Sequence, residues 1–361
     1  RRVLFRSEAE ERRSIMATQR LIVKAERRYE VNFIPSWQSA IKKLVKGRNS
    51  VILAPDKLVS LFQLADFIEP LKNVTLISLP EGEAQKSFET LERVLDICGE
   101  VKLGRDGLII GLGGGATTDL AGFAAASWLR GVEWVAMPTT VAGMVDAAIG
   151  GKTGINTRHG KNLVGAFYSP SQVLIDVRFI ESLSARDINA GLAEVVKCGF
   201  IADPTILTDL ERNVHITASL IKKAVAVKAK VVSADFKESF GREVLNYGHT
   251  LGHAIEKVEN YQLRHGEAVA IGMVYAAELS SIVGKLSPKI VERHRAILQS
   301  IDLPISYHAN AFEKLHGLMG GDKKVKGGKI RFVTLTGLGK TSRAENVPMR
   351  SLLKAYERIS S

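Results

Sequence analysis

The stretch GLIIGLGGGATTDLAGFAA, residues 107–125, decides the fold of this chain. An apolar run ends at Gly113, Gly114 and Gly115, and a helical pattern begins directly after them. Glycines permit a tight strand-to-helix turn, and the amides of the first helical turn attract an anionic group such as a pyrophosphate. Because the spacing is not GxGxxG, a plain strand-to-helix turn without a ligand is the alternative interpretation.

Apolar runs recur on both sides of this turn, and helical patterns separate them. Strands this apolar, placed between helices, predict a parallel sheet covered on both faces. We therefore predict an α/β, doubly wound, Rossmann-like domain over residues 17–182. The flanking runs lie at residues 51–55, 74–80 and 132–138. The pattern of residues 87–101 predicts a helix that buries Phe88, Leu91, Val94 and Leu95 on one face.

The pattern changes after residues 171–176, where long helical stretches replace the alternation. The last of them, residues 266–283, is small and apolar nearly all round, which predicts a central buried helix. We therefore predict a mostly α-helical second domain over residues 183–361, with one late hairpin strand within KIRFVTLTGLG. The opening residues 1–16 have a poor pattern and are predicted to be a tail.

Composition narrows the class of protein. The net charge of +12 is scattered along 361 residues, without the aromatic and basic interleaving typical of nucleic-acid binding. The sequence has no run of eighteen or more apolar residues, so no membrane span is predicted. The two cysteines, Cys98 and Cys198, are too few for a disulfide framework. We expect a cytoplasmic protein with a small-molecule partner and neither nucleic acid nor membrane. A basic nucleic-acid-binding protein is the non-enzyme alternative, and it leaves the glycine turn unexplained.

Two further loops follow predicted strands, PEGEAQK at residues 80–86 and MPTT at 137–140. Open parallel sheets bind ligands outside the carboxyl ends of their strands, so both loops favour a nucleotide site. Glu83 could accept a hydrogen bond from a ribose hydroxyl and Lys86 could contact a phosphate, or both could be solvated loop charges. Thr139 and Thr140 could bind a cofactor or cap the next helix, and capping is the commoner role of threonine in that place.

Residues 146–167 predict a glycine-rich loop with polar side chains. Lys152, Lys161 and Asn162 lie in it together with Asp146. Cations held close to glycine backbone suit a phosphorylated anionic substrate. The alternative interpretation is a solvated, mobile surface loop without a ligand.

Three of the eight histidines fall within seventeen positions, His249, His253 and His265. His249 and His253 are four apart and share a helix face, while His265 begins the next predicted helix. Glu194 lies three residues before Lys197 in an apolar helical stretch, where it is either paired with that lysine or holds a metal. Three imidazoles and a carboxylate are a plausible divalent metal site, for which spacing alone favours His249 and His253 as the pair.

Taken together, these motifs resemble the 3-dehydroquinate synthase family of the sugar phosphate cyclase superfamily. The resemblance runs from about residue 50 to 340. The stretches that carry it are GLGGGATTDLAGFAAASWLRG, MPTTVAGMVDAAIGGKTGIN, GKNLVGAFYSP, LAEVVKCG, LNYGHTLGHAIE, RHGEAVAIGM and DKK. It implies a dehydroquinate synthase-like fold, with an NAD-binding domain followed by a helical metal- and substrate-binding domain.

The resemblance also implies a division of roles in the second domain. Glu194, His249 and His265 would bind zinc or cobalt, and His253 would instead contact the substrate as a proton-transfer group. The other catalytic residues implied are Asp146, Lys152, Lys197, Glu238 and Asn246. The substrate-binding residues implied are Arg130, Asn162, Lys228, Arg242 and one of Lys323 and Lys324, with Arg130 reaching the site of the other subunit in a homodimer.

The cofactor contacts implied for NAD gather at the carboxyl ends of the predicted strands. They are Asp56, Glu81, Gly82, Glu83, Lys86, Gly113, Gly114, Gly115, Ala116, Thr117, Thr118, Asp119, Thr139, Thr140, Lys152, Lys161, Phe179, Ile180, Glu181 and Ser182. The chain departs from the family at Asp56, which is followed by Lys57 and Leu58 where the family often has an asparagine.

The activity implied is that of an NAD- and metal-dependent, phosphate-eliminating lyase of the shikimate pathway, which leads to chorismate and the aromatic amino acids. It would convert 3-deoxy-D-arabino-heptulosonate 7-phosphate to 3-dehydroquinate and phosphate by transient oxidation, elimination, reduction and intramolecular aldol closure. The alternatives are another sugar phosphate cyclase, or a metal-dependent NAD polyol dehydrogenase that accumulates NADH.

Overall fold

The structure, a computed structural model, describes residues 20–237, 241–319 and 330–361. The strands are β1 (Arg20–Lys24), β2 (Arg28–Phe33), β3 (Ser50–Pro55), β4 (Val74–Leu79), β5 (Leu108–Gly113), β6 (Glu133–Pro138), β7 (Lys152–Thr157), β8 (Gly160–Phe167), β9 (Gln172–Ile175), β10 (Arg331–Gly337) and β11 (Lys340–Glu345). The α-helices are α1 (Trp37–Leu44), α2 (Asp56–Leu61), α3 (Leu64–Ile68), α4 (Phe88–Glu100), α5 (Gly115–Ser127), α6 (Ala185–Ile201), α7 (Thr205–Arg212), α8 (Ala218–Ala234), α9 (His249–Val258), α10 (His265–Val283), α11 (Pro288–Ser300), α12 (Phe312–Met319) and α13 (Met349–Glu357). The predicted tail at residues 1–16 lies outside the described ranges.

A seven-stranded sheet runs in the order β1-β2-β9-β6-β5-β3-β4. Its neighbouring strands are parallel, except that β1 and β2 pair antiparallel. Every residue of β3 and β5 is buried, which explains why these strands appear in the sequence as unbroken apolar runs. The predicted Rossmann-like parallel sheet is confirmed.

The order of the strands creates a switch point between β3 and β5. The chain passes from β3 outward to β4 and then returns to place β5 on the other side of β3. In open α/β sheets a crevice opens outside the carboxyl ends of the strands where the order reverses. The glycine turn after β5 lies at that edge of the sheet.

Residues 152–167 form a hairpin rather than the predicted loop. β7 and β8 pair antiparallel, with Lys152 opposite Phe167. Gly154 and Gly165 lie at the crossing: a Cβ on Gly154 would be 2.6 Å from the carbonyl oxygen of Val164, and one on Gly165 would overlap the backbone of β7. These glycines therefore serve close strand approach, which composition alone does not distinguish from loop flexibility.

The helix α4 corrects one predicted core residue. It buries Leu91 and Val94 as predicted and leaves Leu95 half-buried, but Phe88 is 57% exposed. Phe88 is the first residue of the helix, directly after the Ser87 N-cap. Because helical side chains point back toward the N-terminus, its ring extends past the end of the helix instead of onto the sheet.

The described chain divides into two compact units. The first holds the residues up to Leu183 together with Ala229–Lys237, and the second holds Ser184–Lys228 and the residues after 240. In the second unit α10 is buried from Gly266 to Ser280. This helix is long and apolar enough to cross a membrane, but 83% of the apolar window is buried inside the structure, as in the core helix of a globular unit.

Each unit contains one of the two cysteines, and both thiols are buried. Cys98 lies on α4, where burial raises the pKa of its thiol to about 11. Cys198 lies on α6, and its Sγ is 3.9 Å from the carbonyl oxygen of Ala224.

Candidate functional site

The glycine turn of the first unit is built by close packing. Gly114 is the N-cap of α5, and no side chain caps the helix among the described residues. A Cβ on Gly115 would lie 2.8 Å from the Cβ of Ala147, and Thr139 N donates to Gly113 O at 2.9 Å, which ties the end of β6 to the turn. The amides of the first turn of α5 therefore lack a side-chain acceptor, as in an anion site at a helix N-terminus.

Predicted cofactor residues follow two further strands, β3 and β4. Asp56 directly follows β3 and its carboxylate contacts the hydroxyl of Ser78. Glu81 follows β4 and accepts a hydrogen bond from Lys57 N at 2.7 Å. A cavity of 290 Å³ lies beside them, lined by Asp56, Ser78, Pro80, Glu89, Thr90 and Arg93.

Lys86 is the centre of a buried polar network. Its side chain is 3% exposed, and its Nζ lies 2.7 Å from Asp119 Oδ2 and also contacts Asn162 Oδ1. The alternative of a solvated loop charge is therefore wrong for Lys86. Glu83 is 40% exposed and accepts from Asn156 Nδ2 at 2.8 Å. The sequence analysis missed Asn156, which bridges the loop after β4 to the hairpin.

The electrostatics of this network concentrate on Asp119. Burial raises the pKa of Asp119 to about 6, against the opposing charge and hydrogen bond of Lys86. The Asp119 carboxyl group therefore loses its proton near pH 6, above the usual range for an aspartate and below pH 7. Its helix, α5, also carries Ala116 and the buried Thr117 and Thr118.

The remaining residues predicted for the first unit have mixed environments. Thr140 Oγ1 accepts from Gly143 N at 3.1 Å, which supports its interpretation as a cap, and Thr139 is buried. Asp146 lies in the single turn Gly143–Ala147. The other positions are Lys152 at the exposed start of β7, Lys161 on β8, Gly82 in the turn Gly82–Gln85, and the exposed Arg130.

Phe179 is part of an aromatic cluster in the first unit. Its ring stacks on Trp37 at 6.0 Å between centroids and meets Phe62 edge-on at 5.2 Å. Its side chain thus anchors the turn Val177–Ser182, which carries Ile180, Glu181 and Ser182.

The second unit brings a carboxylate and two imidazoles together. The Nε2 atoms of His249 and His265 lie 3.6 and 3.5 Å from Glu194 Oε1. Lys197 Nζ forms an ion pair with the other oxygen, Oε2. Glu194 lies on α6, His249 begins α9 after Gly248 at φ +82°, and His265 begins α10.

The burial and contacts of Glu194 show whether this cluster fits a metal ion. The residue is 1% exposed, and among the described residues neither of its oxygens meets the geometry of a hydrogen bond. Lys197 compensates the charge at Oε2, and a divalent cation would satisfy Oε1, which faces the two imidazole nitrogens. One ligand atom from each of Glu194, His249 and His265 lies within 4.8 Å of the others. Two nitrogens and one oxygen leave positions for substrate, so the residues fit a catalytic metal.

The pKa shifts of the cluster have opposing causes. Burial alone would raise the pKa of Glu194, but the charge of Lys197 and the contacts with His265 and His249 hold it well below its usual range. Burial and the nearby Lys197 charge lower the pKa of His249 well below its usual range. For His265 burial lowers the pKa, but contacts with the carboxylates of Glu194 and Glu256 outweigh burial and raise the pKa to about 10.

His253 lies beside this cluster and is exposed. Its ring centroid is 5.1 Å from that of His249 and 5.9 Å from that of His265. The described side chains group His249 with Glu194 and His265, and group His253 with Glu256 and His265. Among the described residues, Glu194 forms a possible metal-binding group with His249 and His265, whereas spacing favoured His249 and His253.

The substrate residues predicted for the second unit surround the histidines in the sequence. Lys197, Lys228 and Arg242 are buried. Arg242 and Asn246 begin and end the turn Arg242–Asn246, which precedes α9. Glu238, Lys323 and Lys324 lie outside the described residues.

The sequence analysis missed two groups that contact the histidines. Glu256 Oε2 lies 3.2 Å from His265 Nδ1, and the backbone oxygen of Tyr247 lies 3.2 Å from His249 Nδ1. Positions 249, 253 and 256 are spaced by four and three, so Glu256 was identifiable as sharing the histidine face of the helix. The backbone acceptor at Tyr247 has no side-chain signal.

Both halves of the chain match known proteins. The family model described as 3-dehydroquinate synthase N-terminal matches residues 76–190, and the model described as 3-dehydroquinate synthase C-terminal matches residues 191–325. The chain is 52% identical over 292 residues to a 3-dehydroquinate synthase of Mycolicibacterium vanbaalenii, covering 79% of this chain and 81% of that protein.

Two solved structures are similar to this chain over nearly its whole length. A 2-deoxy-scyllo-inosose synthase complexed with carbaglucose-6-phosphate, NAD+ and Co2+ is 25% identical with a TM-score of 0.82, covering 95% of this chain and all of that one. A 2-epi-5-epi-valiolone synthase from Streptomyces hygroscopicus with NAD+ and Zn2+ bound is 26% identical with a TM-score of 0.84, covering 92% and 96%. Since two models of one family match in order and the identity to its Mycolicibacterium member is twice that to either cyclase, this chain belongs to the 3-dehydroquinate synthase family.

Proposed function

We propose that this protein converts 3-deoxy-D-arabino-heptulosonate 7-phosphate into 3-dehydroquinate and inorganic phosphate. The observation that carries the proposal is the convergence of His249 Nε2 and His265 Nε2 on the buried carboxylate of Glu194 in a chain of this family. The proposed reaction has no net oxidation, because a transient oxidation is reversed after phosphate has left.

We propose NAD and a divalent cation, zinc or cobalt, as the cofactors. The structural relatives that contain NAD+ with Co2+ or Zn2+ support this assignment. Glu194, His249 and His265 would hold the cation, and the turn after β5 with the start of α5 would hold the pyrophosphate of NAD. When bound, NAD accepts and returns a hydride and the cation polarises a substrate hydroxyl.

The side chains of the second unit are proposed to bind and orient the substrate. Its phosphate and carboxylate are anions, and the buried cations Lys197, Lys228 and Arg242 suit them better than solvated surface charges would. Lys197 also faces Glu194, so it would keep that carboxylate ionised. The remaining substrate contacts proposed are Glu238, Asn246 and one of Lys323 and Lys324.

His253 is the proposed proton-transfer group. It is exposed, and its ring centroid lies 5.1 and 5.9 Å from those of the two proposed metal ligands, so it can exchange protons with a bound substrate and with solvent. In the first unit Asp146, Lys152 and Asn162 are proposed to contact substrate as well.

We further propose a cytoplasmic homodimer in which Arg130 reaches the site of a second subunit. Leu129, Arg130 and Gly131 have positive φ angles of 49°, 66° and 122°, and Leu129 and Arg130 are exposed. Leu129 and Arg130 are two successive non-glycine residues with positive φ, and a strained, exposed turn of this kind supports a role in assembly. Sedimentation velocity of the wild type, and activity on mixing Arg130→Ala with a variant of the second unit, test this point.

Phosphate release from 3-deoxy-D-arabino-heptulosonate 7-phosphate with catalytic amounts of NAD is the test of function. Chelation should stop release, and zinc or cobalt should restore it without accumulation of NADH. Release only from a hexose or sedoheptulose phosphate would instead indicate another sugar phosphate cyclase. Steady growth of NADH on a polyol would indicate a dehydrogenase.

A further inference from the structure

We propose that Glu256 is a positioning residue that fixes the orientation and tautomer of His265 and strengthens it as a metal ligand. The inference rests on the proposed metal centre of this protein. It assigns a role to a side chain that is neither a proposed ligand nor a proposed substrate contact.

The contact joins two helices that meet at the histidine cluster. Glu256 lies on α9 with its side chain 7% exposed, and His265 is the first residue of α10. Glu256 Oε2 is 3.2 Å from His265 Nδ1, while the other ring nitrogen, Nε2, is 3.5 Å from Glu194 Oε1. The imidazole is therefore held between two buried carboxylates, one at each nitrogen.

This arrangement fixes which nitrogen can bind a cation. An imidazole that binds a cation is neutral and keeps one N–H, and the carboxylate of Glu256 can only accept, so in the metal-bound protein that proton belongs on Nδ1. The lone pair then lies on Nε2 and points at Glu194. A carboxylate partner also makes the imidazole more basic, which strengthens its bond to a metal.

His249 provides a contrast within the same cluster. Its Nδ1 lies 3.2 Å from the backbone carbonyl oxygen of Tyr247, a neutral acceptor. The acceptor fixes the same tautomer but adds no negative charge. The two imidazoles are therefore unequal ligands, and His265 is the one whose strength depends on a replaceable side chain.

The packing of α9 on α10 keeps Glu256 within reach. Gly252 lies one turn before Glu256, and a Cβ on it would be 3.2 Å from the carbonyl oxygen of Ala268 on α10. A larger residue at position 252 would press on the backbone of α10 and strain the approach of the two helices. Glu256 is thus held by backbone contact as well as by its own hydrogen bond.

The test compares Co2+ binding by the wild type, Glu256→Gln and Glu256→Asp. The glutamine keeps the shape and removes the charge, whereas the aspartate keeps the charge and shortens the reach. Glu278→Gln is the matched control, because Glu278 is a buried carboxylate like Glu256. Glu278 is paired with Arg295 and Arg358, and it lies on α10 about 20 Å along the helix from His265. The measurements are the Kd for Co2+ by chelator competition and the visible absorption of the Co2+ enzyme.

We expect both Glu256 variants to bind Co2+ about 10-fold to 100-fold more weakly and to change the Co2+ absorption spectrum. Glu278→Gln should keep the wild-type Kd and spectrum even if its melting temperature falls. If Glu256→Gln does not fold, Glu256→Asp decides. Variants that bind Co2+ with the wild-type Kd and spectrum would overturn the role of Glu256 and leave the proposed function intact. A wild type that binds no Co2+ would remove the proposed metal centre and this inference together.

Discussion

At the scale of single residues, Glu194 combines deep burial with charge. A carboxylate that is 1% exposed is stable only when opposite charge compensates for lost hydration, and Lys197 supplies it. Glu194 is also the residue on which the two imidazole nitrogens converge. Its neighbours therefore divide into those that hold it and those that would share a cation with it.

His249→Ala should abolish metal retention and activity together, because it removes one of three proposed ligands. His253→Ala should keep the metal and slow turnover by about 10²-fold to 10⁴-fold, the usual contribution of a proton-transfer group. Metal content by elemental analysis and phosphate release are measured on both variants. Loss of metal from the His253 variant with retention in the His249 variant would exchange the two roles.

The pKa of Asp119 predicts a pH dependence of stability. Its pKa is about 6 in the folded protein against 3.8 in the reference state, so the folded state binds the proton more tightly. The stabilisation is fully present below pH 3.8 and is lost as the pH rises through 6. Relative to Asp119→Asn, the wild type should lose about 2 kcal/mol of unfolding free energy between pH 4 and 7, because part of the proton linkage is already lost at pH 4.

Denaturant unfolding of both proteins at a series of pH values checks this expectation. A difference between wild type and Asp119→Asn that stays constant with pH would show that Asp119 does not bind its proton more tightly when folded. Lys86 loses its closest carboxylate in the variant, which shifts both ends of the series equally and leaves the slope intact.

The residue types at the candidate site could largely be predicted from the sequence, but their partners could not. The clustering of His249 and His265 with Glu194 rests on three helices that meet in space, and the resemblance to a family supplied it where spacing favoured His253. Phe88 shows the opposite error, since its position in the helical pattern was right and its place at the helix end left it exposed.

At the scale of elements, glycines decide how closely the helices of the second unit approach. A Cβ on Gly266 would overlap the carbonyl oxygen of Ala190 on α6, and one on Gly272 would overlap that of Gly248 before α9. These contacts are backbone to backbone, so no side chain can move aside. They bring the helix that carries Glu194 and the two that begin with histidines to one place.

Gly266→Ala should therefore separate α6 from α10, destabilise the second unit by about 1–3 kcal/mol, and weaken metal binding. Gly317→Ala is the matched control, since this glycine lies within α12 and nothing would approach its added Cβ within 4 Å. That variant should be neutral or stabilised by up to about 1 kcal/mol. Thermal unfolding and metal content distinguish the two, and equal behaviour would contradict the role of close helix approach.

The same use of glycine explains the hairpin of β7 and β8. Gly154 and Gly165 are compatible with both a loop and a close strand pair, and the choice depends on which segment lies opposite. The apolar strands of the sheet had no such ambiguity, because burial on both faces leaves a continuous signal in the sequence.

At the scale of the whole molecule, the proposed binding sites for the NAD pyrophosphate and for the metal lie in different units. The turn before α5 lies in the first, and Glu194, His249 and His265 lie in the second. A ligand stabilises the region that binds it by RT ln(1 + [L]/Kd), about 2.7 kcal/mol at 100 times Kd. Chelation should therefore speed amide hydrogen exchange in α9 and α10, and NAD should slow it at the start of α5. Faster exchange after chelation that is confined to the first unit would contradict this assignment.

The two buried cysteines give the protein a pair of internal chemical reporters. A thiol reagent can reach Cys98 or Cys198 only when the surrounding unit opens, and burial raises the pKa of the Cys98 thiol to about 11, so little thiolate is present while the unit is closed. Cys198 lies one turn after Glu194 on α6, so its labelling rate would follow the opening of the helix that bears the carboxylate. Peptide mapping of a single alkylation time course would thus time the opening of each half of the chain separately, without any introduced probe.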